Sequence, residues 1–374
     1  GRVRDLLLEK GNGDVDLVVE GDASTIAREL SRQQGGKVVD HPSFGTATYL
    51  HGDLRIDLAT ARSEVYSRPG ALPLVGSGSM ETDLSRRDFT INAMALRLSP
   101  PQVGQLLDPH DGQSDLEKGL VRVLHSGSFA DDATRIMRAI RYEQRLGFRL
   151  EEGTLELLVR DLPYLESVGV DRLRHELELI LQEDSSERAL LRANELGVLK
   201  QISPALSADD WLAETYQRAR SEVGSTGSGL YLALLLYRTT PEDALGFLRR
   251  YRFAREQIQT VEDLMKLKSQ HGSLEKDELQ PSAIYALLEG LSVDTLHAFQ
   301  IASDSPLVEE RVQLYLSDLR PVKSCLNGGD LLALGVPRGP GMGRLLEELL
   351  KARLDRKVTS KEDEIAFVKR SLQK

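Results

Sequence analysis

The segment Gly13-Asp14-Val15-Asp16-Leu17-Val18-Val19 combines a short apolar run with two carboxylates. Side chains alternate between the two faces of a strand, so Asp14 and Asp16 are predicted on one face and Val15 and Leu17 on the other. Neighbouring carboxylates repel each other unless a cation lies between them, and carboxylate oxygens are ligands that suit Mg²⁺. The pattern favours a strand that presents a metal site, although such pairs also occur at exposed strand ends without catalytic meaning.

A third isolated acid, Asp57, stands between two apolar residues of a later β-like run. It could supply a further metal ligand or the general base of an in-line displacement. Gly1 lies thirteen residues before Asp14, ahead of a helical run that starts at Val3. A glycine at a helix start lets backbone N–H groups approach a phosphate. These features together predict a nucleotidyltransferase site, and the absence of a Gly-x-x-x-x-Gly-Lys-Ser/Thr motif argues against a P-loop NTPase.

The two halves of the chain differ in their pattern of apolar residues. Up to about Leu124, one amphipathic helical run at 23–34 lies among short β-like runs, and from about Ser128 onward the pattern is helical. The β-like runs are residues 15–19, 37–40, 46–50, 54–58 and 91–98. We therefore predict an α+β protein. Its parts are an α/β head (1–124), an all-α neck (125–200) and an all-α body and tail (201–374).

Composition excludes several classes of protein. Lys and Arg number 48 against 58 Asp and Glu among 374 residues, a formal net charge of −10, which argues against indiscriminate polyanion binding. Basic residues concentrated on one face remain possible. Cys325 is the single cysteine, so an internal disulfide and a cysteine-built zinc site are excluded. The longest apolar stretch, near Leu230–Tyr237, is too short to cross a bilayer, and nothing at the start resembles a signal peptide. We expect a cytoplasmic protein without a membrane partner.

Residues 86–93, Arg-Arg-Asp-Phe-Thr-Ile-Asn-Ala, resemble the RRDFTxNA motif of class II tRNA nucleotidyltransferases and of the related bacterial poly(A) polymerases. Three other segments resemble motifs of this family and occur in its order. Residues 1–16 are similar to GGxVRD…DxD without the first glycine, so further sequence is expected ahead of Gly1. Residues 108–116 are similar to the D-x-x-x-G-x-x-D-L element. Residues 131–142 are similar to EDxxRxxRxxRF, with Asp for Glu and Tyr for Phe. The resemblance is strong over residues 1–182 and general beyond them.

The resemblance implies a polymerase-β-like head and specific roles for residues in these motifs. Asp14, Asp16 and Asp57 would be catalytic, and the first two would hold Mg²⁺. The residues implied to bind the nucleotide are Gly1, Arg4, Arg86, Arg87, Asp88, Asn92, Asp132, Arg135, Arg138 and Arg141.

Two of these roles have a structural alternative when they are judged from the residues alone. The resemblance implies that Asp88 accepts from the ribose hydroxyl, but an acid beside two arginines is equally an ion-pair partner. Asp132 and Arg135, three positions apart, would form a salt bridge on one helix face. In the family, the Asp and Arg that match Asp132 and Arg135 bond the base edge of CTP or ATP. Arg135, Arg138, Arg141 and Arg145 are spaced by three, three and four positions and are predicted to form a basic stripe on one helix face. Such a stripe is usually a solvated surface, and here the resemblance implies that it lies next to the nucleotide.

The activity within the family stays open. We expect tRNA, ATP and CTP as partners and the addition of CCA, or of its terminal A, to the tRNA 3′ end. Residues 63–80 resemble the flexible loop of the CCA- and A-adding enzymes, which disfavours a CC-adding enzyme. A long basic tail typical of bacterial poly(A) polymerases is not seen, and two Gly-rich turns in 328–344 resemble the tRNA-gripping tail of the family. A catalytically inactive RNA-binding module is the alternative from another class, disfavoured by the three acids and the RRD motif.

Overall fold

The structure is a computed structural model that describes residues 1–10, 15–65, 73–224 and 227–372, with only the backbone of Ser43. It divides into two compact units, Gly1–Asp209 and Asp210–Lys374. The predicted α+β class is confirmed, with the central sheet in the first unit and helices throughout the second. Among the described residues, no helix is long and apolar enough to cross a lipid bilayer.

A four-stranded sheet lies at the start of the first unit, in the order β1-β4-β3-β2. The strands are β1 (Val15–Val19), β2 (Lys37–His41), β3 (Thr46–His51) and β4 (Leu54–Thr60). Strand β1 runs parallel to β4, whereas β2 with β3 and β3 with β4 are antiparallel. The first four predicted β-runs are therefore confirmed, with small differences at their ends.

The alternation of side chains gives this sheet one apolar and one polar face. Leu58, Ala47 and Tyr49 are buried against Ala23 and Ala27 of a helix, which covers that face. The opposite face carries the acids described below. Burial of each large apolar side chain contributes about 1.5–3 kcal/mol to the stability of the fold. A shift of one residue in strand register would turn all of these apolar side chains towards solvent.

The other elements of the first unit are short strand pairs and helices. The paired strands are β5 (Arg62–Val65) with β6 (Leu74–Ser77), β7 (Ala95–Leu96) with β8 (Leu106–Leu107), and β9 (Leu120–Val121) with β10 (Arg149–Leu150). The helices are α1 (Arg2–Leu7), α2 (Ala23–Gln34), α3 (Met80–Ser85), α4 (Gly112–Glu117), α5 (Ser128–Asp131), α6 (Thr134–Leu146), α7 (Glu152–Asp161), α8 (Val170–Leu181), α9 (Ser186–Glu195) and α10 (Val198–Ile202).

The predicted β-run at residues 91–98 is wrong over most of its length. Residues Thr90–Asn92 form a 3₁₀ turn, and only Ala95 and Leu96 form a strand. The carboxylate of Asp88 accepts from the backbone N–H of Phe89 and from the side-chain amide of Asn92. Local side-chain bonds of this kind compete with strand pairing, which explains why an apolar run failed to become a strand.

The second unit consists of helices and connecting turns. The helices are α11 (Asp210–Glu222), α12 (Ser228–Leu236), α13 (Pro241–Arg250), α14 (Arg255–Ser269), α15 (Pro281–Leu288), α16 (Val293–Ala302), α17 (Pro306–Leu314), α18 (Gly328–Ala333), α19 (Pro340–Leu354) and α20 (Lys361–Ser371). The apolar segment near residues 230–237 forms the buried helix α12. Of the glycines in residues 328–344, Gly328 and Gly329 form the first turn of α18, and Gly341 and Gly343 lie in the first turn of α19.

Candidate functional site

Two of the predicted catalytic acids are direct neighbours on the polar face of the sheet. Asp16 of β1 pairs in register with Asp57 of β4. Partners in register on parallel strands point to the same face, about 4.8 Å apart at the backbone. Asp16 is exposed, and Asp57 is partly buried. The third acid, Asp14, lies outside the described residues.

Asp57 is fixed by neighbours on the same face of the sheet. Thr48 Oγ1 donates to Asp57 Oδ1 at 2.6 Å, and Arg55 Nε donates to Oδ2 at 3.0 Å. Burial alone would raise the pKa of Asp57, but these bonds and the charges of Arg55 and His41 hold it below its usual value. Asp57 is therefore ionised at neutral pH, in the state that can bind a cation.

The donor set fits a hard divalent metal. Two carboxylates lie side by side on one face, with Asp16 open to solvent. Carboxylate oxygens with remaining positions left for water or phosphate are the ligands that Mg²⁺ takes. The described residues contain no group of three or more His, Cys, Asp or Glu side chains that could hold a metal. Asp14, the third predicted acid, lies outside these residues.

The RRD segment is held by acids that the sequence analysis did not single out. Asp83 has 1% exposure and accepts from Arg86 Nη2 and Arg87 Nη2, each at 2.6 Å. Arg86 Nη1 also donates to Glu64 Oε1 at 2.9 Å. Asp83 lies three positions before Arg86 and four before Arg87, the spacings at which side chains on a helix meet, so this pattern could have identified it from the sequence. The two arginines are thus fixed side by side by one buried carboxylate.

Asp88 is an ion-pair partner, but of a distant arginine rather than of its neighbours. Arg138 Nε and Nη2 both donate to Asp88 Oδ2, at 3.0 and 2.5 Å and across 50 positions of sequence. Asn92 Nδ2 donates to Oδ1 at 2.9 Å, and Arg4 Nη1 donates to Asn92 Oδ1 at 2.6 Å. Arg4, the segment 86–93 and Arg138 of α6 therefore meet in one polar network.

The structure corrects the predicted geometry of Asp132 and Arg135. Asp132 has an extended backbone and precedes α6, so the two residues do not share a helix face. Asp132 Oδ2 accepts from Arg172 Nη2 at 2.7 Å, and its Oδ1 accepts from Thr134 Oγ1. The salt bridge between Asp132 and Arg135 that the sequence offered as an alternative is not formed.

Arg135 is oriented by different partners. Its Nη1 donates to Ser128 Oγ at 2.6 Å, and its Nη2 donates to the backbone carbonyl of Arg86 at 2.8 Å. This second bond joins the start of α6 to the RRD segment. The position of Arg135 therefore depends on both motifs.

Arginines of α6 contact one acid of α8 and one acid that follows this helix. Arg141 is buried and lies 3.4 Å from both Glu176 and Glu183, and Arg138 also reaches Glu176 at 3.5 Å. The exposed member of the stripe is Arg145. Arg141 thus contacts two carboxylates of this chain, and its role at the nucleotide stays a prediction.

A close backbone approach explains the glycine in the D-x-x-x-G-x-x-D-L element. A Cβ on Gly112 would lie 2.2 Å from the carbonyl oxygen of Thr90, so a larger residue cannot pack there. Asp108 Oδ1 accepts from the Gly112 N–H, and Asp115 Oδ2 accepts from Thr90 Oγ1 at 2.7 Å. The element therefore supports the loop that follows the RRD segment.

Most of the predicted nucleotide-binding residues line one cavity of about 620 Å³ in the first unit. They are Gly1, Arg86, Arg87, Asp88, Asn92, Asp132, Arg135 and Arg138. Arg4, Arg141, Asp16 and Asp57 are not among the residues that line this cavity. The cavity is also lined by residues that were not predicted to bind the nucleotide, and they include Arg62, Glu64, Arg172 and His175. Forked guanidinium groups beside a carboxylate suit a ligand with a phosphate end and a hydrogen-bonding base edge.

Acid should destabilise the first unit through Asp83 and Asp88. Burial alone would raise the pKa of both carboxyls, but Arg87 at Asp83 and Arg138 at Asp88 outweigh it and keep each pKa below the usual value. An Asp carboxyl in the unfolded chain has a pKa of about 3.9. The stabilisation by these ion pairs is therefore complete above about pH 5, and it is lost as the pH falls through the lower pKa of the folded state. We expect the thermal midpoint at constant ionic strength to fall steeply below about pH 4.

The Asp83→Asn variant tests this pH dependence. It should lower the midpoint at pH 7 and weaken the dependence on acid, because the titrating group is gone. An unchanged acid profile in this variant would exclude Asp83 as a contributor.

Family comparisons cover most of the chain. The poly(A) polymerase head domain matches residues 1–122, and the RNA- and SrmB-binding site of polymerase A matches residues 147–210. The tRNA nucleotidyltransferase domain 2 matches residues 226–368.

Individual relatives agree with these family matches. The A-adding tRNA nucleotidyltransferase of Geobacter sulfurreducens is 35% identical over 99% of this chain, which spans 44% of the length of that relative. The A-adding tRNA nucleotidyltransferase of Halalkalibacterium halodurans is 32% identical over 99% of this chain and 87% of its own length.

Solved structures show the same fold. A complex of a CCA-adding enzyme with ATP has a TM-score of 0.81 at 35% identity and covers 100% of this chain and 90% of its own. The Thermotoga maritima CCA-adding enzyme complexed with tRNA has a TM-score of 0.78 at 35% identity, with the same coverage.

Proposed function

Because the chain belongs to the tRNA nucleotidyltransferase and poly(A) polymerase family, we propose that it extends the 3′ end of tRNA without a nucleic-acid template. It adds CCA, or its terminal A alone, from CTP and ATP and releases pyrophosphate. The observation that carries this proposal is the single cavity that joins the RRD arginines to Asp132 and Arg135. The arginine forks match the triphosphate of a nucleoside triphosphate, and a carboxylate and an arginine in the same cavity match the edge of its base.

Different residues of the cavity contact the triphosphate and the base of the nucleotide. Arg86 and Arg87 donate to the triphosphate while Asp83 keeps their guanidinium groups in place. Asp132 accepts from the exocyclic amine of cytosine or adenine, and Arg135 donates to a ring nitrogen or carbonyl. Arg172 positions the carboxylate of Asp132 for this contact. Base selection therefore depends on side chains of the protein.

Asp88 acts mainly through its neighbours. Its two oxygens already accept from Phe89, Asn92 and Arg138. We therefore assign to Asp88 the positioning of Arg138 and Asn92 at the cavity wall. A ribose hydroxyl would share an oxygen that these donors already use.

The chemical step takes place at the carboxylates of the sheet. The primer 3′ hydroxyl attacks the α-phosphate, a new P–O bond forms, and the bond to the β-phosphate breaks. The family membership indicates a divalent metal, and we propose Mg²⁺ on Asp14 and Asp16, with Asp57 as an additional ligand or as the base. When bound, this ion would activate the hydroxyl and neutralise charge that develops on the phosphate. Thr48 and Arg55 hold Asp57 in an ionised and oriented state.

The parts of the chain take separate tasks in this proposal. Residues 1–124 carry the chemistry, residues 125–200 read the base, and residues 201–374 bind tRNA. The expected location is the cytoplasm, where tRNA and nucleoside triphosphates are available together.

The decisive experiment offers three tRNA substrates, which end at the discriminator base, at C or at CC. CTP and ATP are supplied separately and together in the presence of Mg²⁺, and product length is read on a denaturing gel. Three added nucleotides identify a CCA-adding enzyme, and one A on the CC substrate alone identifies an A-adding enzyme. Two C residues without A identify a CC-adding enzyme, and a long tail identifies a poly(A) polymerase. No incorporation by folded protein would contradict the proposed function and favour an RNA-binding module.

The Asp132→Ala variant should damage base selection more than folding. The variant loses the acceptor for the exocyclic amine, so discrimination between ATP and UTP should fall by about tenfold to a hundredfold, at about 1–3 kcal/mol for one lost contact. Competition assays with ATP and UTP measure the ratio of kcat/KM values. The Asp131→Ala variant is the neighbouring control. Intact selectivity in the Asp132 variant would exclude its role as a base reader.

A further inference from the structure

Residues 249–255, Arg-Arg-Tyr-Arg-Phe-Ala-Arg, place four arginines within seven positions. We call this segment the arginine turn. It connects the last residues of α13 to the first residue of α14. No acidic residue occurs between Asp243 and Glu256, so the positive charge is undiluted along the sequence.

Buried aromatic side chains fix the arginine turn. Tyr251 and Phe253 are 3% and 5% exposed, and their rings lie 4.9 and 5.6 Å from the ring of Phe247. The backbone N–H of Phe253 donates to the carbonyl of Leu248 at 3.0 Å, and Arg252 has a φ of +54°. The chain therefore reverses sharply, with the aromatic residues directed inward and the arginines outward.

The arginines at the two ends of the turn are open to solvent. Arg249, Arg250 and Arg255 are exposed, and none of them forms an ion pair with another described residue. Arg218 of the same unit differs, since it pairs with both Glu222 and Glu309. Several like charges on one turn repel each other, and an anion that binds there removes this repulsion. The guanidinium fork matches the geometry of a phosphate group.

We propose that the arginine turn binds the ribose-phosphate backbone of tRNA through Arg249, Arg250 and Arg255. This inference rests on the proposed function, which makes tRNA the polyanion that the protein meets. The turn offers exposed charge, while its aromatic rings are buried, so it lacks the apolar anchors that are typical of a protein interface. Contacts to phosphates position the RNA and carry no sequence information. The turn therefore contributes affinity that is equal for all tRNAs.

The test measures tRNA affinity as a function of salt, without nucleotides, for the Arg249→Gln/Arg255→Gln double variant. Each lost phosphate contact lowers the slope of log affinity against log salt by about 0.7–0.9, so the slope should fall by about one to two. Affinity near physiological salt should decrease about tenfold or more. The KM for tRNA should rise while kcat and the KM for ATP stay close to the parent values. The Arg249→Lys/Arg255→Lys variant keeps the charge and should retain most of the affinity.

The matched control removes two exposed positive charges elsewhere. Arg28 and Arg32 on α2 are 63% and 77% exposed, so Arg28→Gln/Arg32→Gln changes the net charge equally. An unchanged slope in the arginine-turn variant would overturn the inference, as would an equal loss in the control. Thermal midpoints near that of the parent establish that both variants are folded.

The two proposals fail in different ways in these experiments. A parent protein that binds tRNA but incorporates no nucleotide contradicts the proposed function. The inference about the arginine turn is then still tested by comparing the salt dependence of tRNA affinity between the parent and the variant. A parent protein that does not bind tRNA overturns the inference about the turn.

Discussion

The Asp16→Ala variant should lose nucleotide incorporation by about a thousandfold or more, since charge stabilisation at a metal site contributes several kcal/mol to the transition state. Asp16 is exposed on the polar face of the sheet and lies in register with Asp57, so its carboxylate is available to a cation. Its removal takes away a proposed metal ligand and leaves the apolar face and α2 untouched. We expect tRNA affinity and the thermal midpoint to remain near the parent values.

Single-turnover incorporation on tRNA that ends in CC measures this loss, and binding of the same tRNA is measured in parallel. Asp53→Ala is the matched control, because Asp53 is an exposed acid in the turn between β3 and β4. This control should keep nearly full activity. Turnover of the Asp16 variant at the parent rate would contradict the catalytic assignment of the sheet acids.

The Arg138→Met variant should lose about 3–5 kcal/mol of stability, the usual effect of leaving a buried charge without its partner. Asp88 is 8% exposed, and both Arg138 Nε and Nη2 donate to its Oδ2. Methionine retains part of the arginine stem but cannot neutralise the carboxylate. The pKa of Asp88 should then rise, because burial is no longer opposed by the charge of Arg138.

Chemical denaturation at pH 7, followed by circular dichroism, measures the free energy of unfolding. The Asp88→Asn/Arg138→Met double variant lacks both charges and should be more stable than Arg138→Met alone. With Asp88→Asn as the second single variant, a loss in the double variant that is smaller than the sum of the two single losses identifies the pair as the cause. A loss below about 1 kcal/mol in Arg138→Met would show that Asp88 is satisfied by its other donors.

The strands of the sheet could be predicted because their pattern depends on local geometry. Alternation predicted the runs at 15–19 and 54–58, and it placed the acids on the face opposite to the apolar residues. The same reasoning failed at residues 91–98, where Asp88 and Asn92 bond locally in place of a strand partner. Apolar content alone does not reveal such competition.

The candidate site could be located from sequence, but its bonds could not. The motifs indicated which segments meet, and the cavity contains most of the residues that they contributed. The partners of the charged residues were missed or misplaced. Arg86 and Arg87 contact Asp83, Asp132 contacts Arg172, and Arg141 contacts two acids of the neck.

By itself, the sequence determined the family, the α+β class and the face on which Asp16 and Asp57 lie. These properties follow from motif order and from the period of two residues in a strand, which is fixed by the backbone. Only the tertiary structure decided which acid neutralises which arginine, because that choice depends on how distant elements pack. The pair of Asp88 and Arg138 spans 50 positions, and it forms because the RRD segment and α6 pack against each other. Because Asp88 is buried, it must be neutralised by a partner inside the protein, since an unpaired buried charge is far more unfavourable than one in water.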